Sequence, residues 1–480
     1  MMSEFPVFTP AIPEIVILVM ACVVMIVDVY SKNAKKSMSY FLTLLTLGVI
    51  AYLSWRLIGQ PATVTFHGGF IADRLAATLK FFMCIVLVIV FIYSRRYMLE
   101  RDVPIGEFYG LGLLAMLGMM VMVSANNMIA IYLGLELLSL PMYAMVAMRR
   151  GSGRSAEAAL KYFIMGAIAS AMLLYGMSMI YGVAASLDLP VIAKAVAATG
   201  LSGNPVLVFG LVFLVVGLGF KFGAVPFHMW VPDVYEGAPT AVTAFVSTAP
   251  KIAAFGLMLR LLLEGLPSLQ GQWQQMLIIL AVVSLFVGNF LAIAQSNIKR
   301  MLAYSTISHI GFVLLAFAAG TTDGYAASMF YVIVYAIMSA GGFGFIMLLS
   351  RKGFEAENIS DLKGLNHKNA WLAFIMLLFM ASMAGVPPLL GFDAKLLVLT
   401  ALIQGGHVGL AIYALIMSVV GAFYYIRIIK VMYFEEPEGK EGRLALHSSS
   451  QVIVSLNGLA LLLLGIFPAG LIHLATLSFS

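Results

Sequence analysis

About fourteen apolar stretches, each long enough to cross the ~30 Å hydrocarbon layer of a bilayer, follow one another along this chain with little polar sequence between them. They run near residues 11–30, 38–58, 74–97, 106–123, 127–148, 158–183, 206–236, 240–263, 273–294, 298–319, 325–350, 370–404, 408–433 and 450–473. Backbone polar groups have no water to bond inside hydrocarbon, so such segments are helical. Of 480 residues 62% are hydrophobic and 10% charged, where a soluble domain carries about a quarter charged residues. The expectation is an all-α polytopic membrane protein forming one integral domain, 1–480, with no soluble domain. The two longest polar stretches, 351–369 and 435–450, are loops.

Charge distribution orients the chain. With fourteen spans, one side collects Lys32, Lys35, Lys36, Arg95, Arg96, Arg101, Arg149, Arg150, Arg154, Lys299, Arg300, Arg351, Lys352, Lys363, Lys368, Lys430, Lys440 and Arg443. The other side receives Arg56, Arg74, Lys194 and Arg260. Cytoplasmic loops hold the excess of Lys and Arg, so both termini fall on the non-cytoplasmic side. The net charge of +6 therefore sets orientation and does not indicate nucleic acid. Glu4 and Glu14 flank the start of the first run with no basic region before it, which reads as a retained helix and not a cleaved signal. Cys22 and Cys84 lie inside spans and form no metal- or haem-ligating motif.

Two spans are interrupted. The seventh is broken at Gly223-Ala-Val-Pro226 beside Lys221, and the twelfth at Gly385-Val-Pro-Pro388 shortly before Lys395. Paired broken helices in two halves of a chain are the mark of a transporter built from inverted repeats. The expected repeats are spans 4–8 (105–265) and 9–13 (272–435), with spans 1–3 (1–100) and span 14 (450–480) outside them.

Basic residues deep in hydrocarbon are functional by default. Lys221, Lys251 and Lys395 fit that description; Lys251 lies roughly 16 Å from its nearer end at 1.5 Å per residue. Lys80 reads as a side chain that snorkels to an interface, and Arg427 and Lys161 are open to both readings. Glu136, in Leu-Glu-Leu-Leu-Ser-Leu-Pro, would take up a proton if isolated, so a lysine partner is expected. Lys221 is the favoured partner and Lys251 stays open. His228 would share a face with Lys221 on a continuous helix, and His309 lies deep in span 10; neutral imidazole is suited to relaying protons. Asp233 and Glu236 are assigned to turn chemistry and anchoring, and the many Met, Phe and Tyr to packing.

Three strings carry a resemblance. Val225-Pro-Phe-His-Met-Trp-Val-Pro-Asp-Val-Tyr-Glu-Gly-Ala-Pro-Thr240, Lys299-Arg-Met-Leu-Ala-Tyr-Ser-Thr-Ile-Ser-His-Ile-Gly311 and Ala384-Gly-Val-Pro-Pro-Leu-Leu-Gly-Phe392 are similar to the antiporter-like subunits of respiratory complex I and the related Mrp cation/proton antiporters. Glu136–Tyr143, Ala159-Leu-Lys-Tyr-Phe163 and Ser360-Asp-Leu-Lys-Gly364 resemble the subunit N (ND2-like) branch. The likeness runs from about residue 105 to 435.

The resemblance implies a proton channel in the membrane arm of NADH:quinone oxidoreductase, in a bacterial inner membrane, among other membrane-arm subunits and lipid and without nucleic acid. It implies no cofactor or metal in this chain, with NADH, flavin, iron–sulfur clusters and quinone handled by partner subunits. By motif, Glu136, Lys221, Lys251 and Lys395 are the channel residues. Lys161, His228, His309 and Asp393 are lesser relay candidates, and Asp393 departs from the family pattern because an uncharged residue is expected there. A self-standing Mrp-type Na⁺(K⁺)/H⁺ antiporter is the second reading, and a purely structural membrane subunit the third. A gradient near 180 mV asks about 4 kcal/mol per proton, or a pKa swing of about three units. Motion of Glu136 against Lys221 would supply that swing. Lys251 and His309 would then carry the proton sideways, and Lys395 would release it.

Overall fold

A computed structural model describes residues 7–33, 35–101, 103–201, 203–436 and 448–479. Glu4, Lys440 and Arg443, used above for the N-terminus and for charge orientation, lie outside the described residues. Among those described, twelve helices are long and apolar enough to cross a membrane, or thirteen if one bent pair near the C-terminus counts as a span.

The chain opens with α1 (Ile12–Tyr30), α2 (Ser37–Ile58), a small hairpin of β1 (Thr63–Thr65) and β2 (Phe70–Ala72), and α3 (Arg74–Leu99). Next come α4 (Ile105–Ser124), α5 (Met128–Val146), α6 (Gly153–Ala184) and α7 (Leu189–Thr199). The broken seventh span is α8 (Pro205–Phe222) and α9 (Trp230–Gly237). The eighth is also broken, into α10 (Thr240–Val246) and α11 (Ala249–Met258), which runs on into a π-helical turn, Leu259–Glu264. After these come α12 (Gln270–Ile293), α13 (Ile298–Ala318), α14 (Thr322–Leu349) and the short α15 (Leu365–Lys368). The chain continues with α16 (Ala370–Ala384) and α17 (Leu390–Gln404), the two halves of the expected broken twelfth span, then α18 (Val408–Phe434), α19 (Ser448–Ile466) and α20 (Ala469–Leu477).

Four features were not anticipated. The hairpin and α7 are too short to register as spans. The expected single helix at 450–473 bends by 79° between α19 and α20, where Pro468 cannot continue the helix. The break in the eighth span has a cause in the sequence: Pro250 has no N–H to donate to Val246, four residues earlier, so the helix parts at Ser247 and Thr248 and restarts at Ala249.

α10, α11, α13 and α14 form the centre of the molecule; the apolar stretches of the spans holding α10–α11 and α13 are buried throughout. Small residues let neighbours close on them. A Cβ on Gly118 would meet Leu138 N at 2.4 Å and Gly134 O at 2.7 Å, and one on Gly288 would meet Ser308 N at 2.7 Å and Tyr304 O at 2.9 Å. These two α4–α5 and α12–α13 contacts are the same construction 170 residues apart. So are two isolated bridges, Asn127 with Asp188 and Asn297 with Asn358. Asn127 and Asn297 each cap the following helix through the side chain, accepting from Ile129 N and Arg300 N.

Three basic residues occupy places the charge count did not foresee. Arg260, read as a loop charge, is fully buried and binds Asp73 at 2.8 Å, Glu264, and the Val123 carbonyl at 3.0 Å. Lys80 does not reach an interface; it is 1% exposed and paired with Glu14 of α1. Arg427 donates to the Ile293 and Gln295 carbonyls at 2.8 and 2.6 Å, satisfying the C-terminal end of α12.

Candidate functional site

Both broken spans end their first half in the same way. Gly223, at φ +74°, follows α8; its N–H bonds the Phe220 carbonyl and the Ala224 N–H bonds that of Gly219. Gly385, at φ +86°, follows α16 with the matching pair, Gly385 N–H to Ser382 and Val386 N–H to Ala381. This is the Schellman arrangement, which needs a residue free to take the left-handed conformation. It still leaves the last carbonyl of each half-helix without a backbone partner, at the negative end of the helix dipole.

A lysine fills each vacancy. Lys251 Nζ donates to the Phe222 carbonyl at 2.9 Å and the Lys221 carbonyl at 3.2 Å. Lys395 Nζ donates to the Ala384 carbonyl at 2.7 Å and to Ser418 Oγ on α18 at 2.9 Å. Phe222 and Ala384 are each the residue just before the turn glycine. Of the three central lysines, then, Lys251 and Lys395 occupy equivalent positions, whereas spacing had paired Lys221 with Lys395. Helix-end carbonyls compensate a cation that hydrocarbon would otherwise penalise by several kcal/mol.

Lys221 is held differently. Its Nζ lies 2.7 Å from Ser139 Oγ on α5, and that hydroxyl donates to Leu135 O at 2.6 Å. Glu136, one turn from Ser139, bonds neither Lys221 nor Lys251 directly, and its Oε1 is buried without a hydrogen-bond partner. Lys221 and Lys251 line one cavity of about 20 Å³ with Met142, Tyr162, Trp230 and Pro250. That is room for roughly one water.

In the second half, His309 of α13 is clamped between two phenols, with Nδ1 2.9 Å from Tyr331 and Nε2 2.9 Å from Tyr425. Tyr425 also bonds Ser305, and Thr306 bonds Tyr335 at 2.7 Å. Lys395 stands over the Phe312 ring, which stacks on Tyr331. Between the halves, Ser247 in the α10–α11 break accepts from Ser339 Oγ at 3.0 Å, and Ser339 lies one turn from Tyr335 on α14. A file of hydroxyls thus runs from the Lys251 helix toward His309.

The lesser candidates separate. Lys161 binds Glu157 and Asp233, each at 2.9 Å. His228 falls in the turn after Gly223, so the continuous face it was to share with Lys221 does not exist; its Nδ1 is buried without a hydrogen-bond partner among the described residues. Asp393, in the first turn of α17, has Oδ2 buried without a partner and makes no ion pair with Lys395 among the described residues. Sequence reasoning missed Ser139, Ser247, Ser418 and the three tyrosines. The Pro250 break marked Ser247. The i, i+4 pair Tyr331 and Tyr335 was visible but had been assigned to packing. Asp233 and Glu236, assigned to turn chemistry, belong to an ion-pair network: Arg300 meets them at 3.0 and 2.8 Å, and Arg154 meets Glu236 at 2.6 Å.

Comparison with known proteins follows the same lines. Residues 125–460 match the family model described as NADH:quinone oxidoreductase/Mrp antiporter, TM. A Coxiella burnetii protein called NADH-quinone oxidoreductase subunit N is 55% identical, over the full length of both chains. A chain in the structure of respiratory complex I from Thermus thermophilus superposes with a TM-score of 0.81 at 31% identity, covering 97% of this chain and 100% of that one. A chain of an Mrp complex from Dietzia sp. shares the fold, with a TM-score of 0.84 at 17% identity over 98% and 97% of the two chains.

Proposed function

We propose a proton route for a chain that belongs to the NADH:quinone oxidoreductase/Mrp antiporter family and, within it, to the antiporter-like, proton-translocating subunit N group of complex I. Protons reach the cavity shared by Lys221 and Lys251 from the cytoplasm, pass along Ser247, Ser339, Tyr335 and Thr306 to His309, and leave from Lys395 on the other side. Glu136 biases Lys221 through Ser139 and does not grip it directly. Lys161 belongs to the inlet, while His228 and Asp393 border the two breaks and complete hydrogen bonds through water.

The observation that carries this reading is the shared design of the two breaks. Each holds an ammonium against the open end of a half-helix, where a charge is tolerated but can still be given up. The 170-residue recurrence of the bridges and glycine contacts supports two repeats, 105–265 and 272–435. Four spans lie between α5 and α13, so their capped ends face opposite sides and the repeats are inverted. Both termini are then non-cytoplasmic, in a bacterial inner membrane. Redox chemistry, with NADH, flavin, iron–sulfur clusters and quinone, belongs to partner subunits.

The test is Lys395→Ala in the complete complex reconstituted into liposomes. Protons pumped per NADH oxidised should fall while electron transfer to quinone persists. Unchanged stoichiometry in a fully assembled variant would remove Lys395 from the route.

A further inference from the structure

α9 is an eight-residue rod with an interruption at each end: the Gly223 turn before it and Ala238-Pro239 after it. Its first residue, Trp230, stacks flat on Tyr162 of α6, with centroids 4.7 Å apart and planes 13° from parallel. Both rings are almost wholly buried, and both line the cavity that holds Lys221 and Lys251. Trp230 Nε1 also donates to the Phe220 carbonyl at 3.0 Å, and its ring lies 4.9 Å from Lys251 Nζ.

The residues next to this stack along the two helices are charged. Lys161 precedes Tyr162, and Asp233 lies one turn beyond Trp230. Their ion pair, at 2.9 Å, ties together the two helices that carry the rings. Lys161 is 43% exposed at the protein surface, whereas the cavity lined by the rings has room for about one water molecule. Asp233 is shared: Arg300 of α13 reaches it at 3.0 Å from the other repeat. Counted from the turn glycines, Asp233 and Lys395 hold the same register, ten residues past Gly223 and Gly385. The position that carries the release lysine in one repeat carries a carboxylate shared by Lys161 and Arg300 in the other.

We propose that Tyr162 and Trp230 form a gate between the cytoplasm and the Lys221–Lys251 cavity, with α9 as the moving part and the Lys161–Asp233 pair as its latch. When Asp233 releases Lys161 and keeps only Arg300, α9 rocks between its two interruptions, the rings part and water reaches the lysines. The inference rests on the proton route above and identifies where that route takes protons in.

The test uses the complete complex in inside-out membranes, with Cys22→Ser and Cys84→Ala in this chain and a reporter, Met142→Cys, lining the cavity. Silver ion is added to the exposed cytoplasmic face, and the thiol that remains is counted on the denatured chain with a fluorescent maleimide. Asp233→Asn should speed the silver reaction about fivefold, the factor a partly exposed ion pair can hold back. Lys161→Met should do the same, and it serves if the aspartate variant fails to assemble. An unchanged rate in both single variants overturns the latch, and an unchanged rate in Trp230→Ala overturns the gate. Thiol access does not depend on pumping, so either result stands apart from the fate of Lys395→Ala.

Discussion

Lys251 Nζ and the Phe222 carbonyl, 2.9 Å apart, join two different spans at the point where one is unwound. The ammonium on α11 completes the hydrogen bonding of α8, so the charge and the break need each other. Lys395 and Ala384 repeat the arrangement within one span, across the α16–α17 break.

This dependence predicts the effect of filling the turn. A Cβ on Gly385 would lie 2.8 Å from Lys395 Cδ and 3.2 Å from Nζ, at a φ that L-residues disfavour. Gly385→Ala should cost about 1–2 kcal/mol from the backbone alone and should push the ammonium off the Ala384 carbonyl. The expected outcome is an assembled complex with a lowered melting temperature and reduced pumping. Calorimetry and a pH-gradient assay on the same preparation check it.

Sequence reasoning paired Lys221 with Glu136, and the group Lys221 bonds is Ser139, one turn along the same helix. Removing its hydroxyl leaves the Lys221 ammonium without its closest acceptor, a loss worth about 1.5–3 kcal/mol for a bond to a charged group. Ser139→Ala should therefore reduce pumping roughly as much as Glu136→Gln does. Ser139→Thr, which restores an oxygen, should recover most of it. If Ser139→Ala pumps normally while Glu136→Gln does not, the carboxylate reaches Lys221 without the hydroxyl.

How far the chain was legible follows from the range of each interaction. Hydrophobic run length and the Gly-Pro breaks are local signals, and they located the spans and the seventh and twelfth interruptions. Lys221, Lys251 and Lys395 stood out because charge in hydrocarbon is rare. What each lysine bonds depends on which helix lies opposite, and no local pattern states that; hence Glu136 was joined directly to Lys221 and Arg260 was placed in a loop. The hydroxyls of Ser139, Ser247 and Tyr425 are invisible for a related reason. Serine and tyrosine also pack in ordinary helices, so only their neighbours reveal a polar file.

The loop after α14 is fastened by a carboxylate whose titration can be followed. Glu355 accepts from Tyr97 at 2.5 Å, Arg101 at 3.0 Å and Thr240 at 2.8 Å, tying the loop to α3 and α10. Burial pushes its pKa up, but the Lys299 charge, the Tyr97 hydroxyl, Arg101 and Thr240 outweigh burial and hold it below the usual carboxylate range. A depressed folded pKa means the unfolded loop binds protons more readily. The stabilisation is therefore complete above the ordinary glutamate pKa and fades as pH falls through the depressed value. Amide hydrogen exchange across residues 351–358 should stay slow at neutral pH and accelerate only in that acid window. Glu355→Gln should show fast exchange already at neutral pH and lose the acid transition.

Arg260 offers a separate test of what buried charge does here. It is fully enclosed, and its three groups of contacts, with Asp73, Glu264 and the Val123 carbonyl, pin the C-terminal end of the Lys251-bearing span to α3 and α4. Arg260→Met keeps most of the side-chain volume but leaves two carboxylates unpaired. Breaking a buried pair costs about 3–5 kcal/mol. The lower end applies here, because Asp73 keeps its bond to the Ala76 N–H at 2.8 Å and Glu264 is partly exposed. The variant should lose thermal stability by that amount. Adding Asp73→Asn and Glu264→Gln should restore part of it, since the orphaned charges would be gone. Pumping per assembled complex should stay near the parent in both, because Lys251 is anchored at the other end of its helix by the α8 carbonyls. A variant that assembles, resists heat like the parent and yet fails to pump would instead place Arg260 in the proton route.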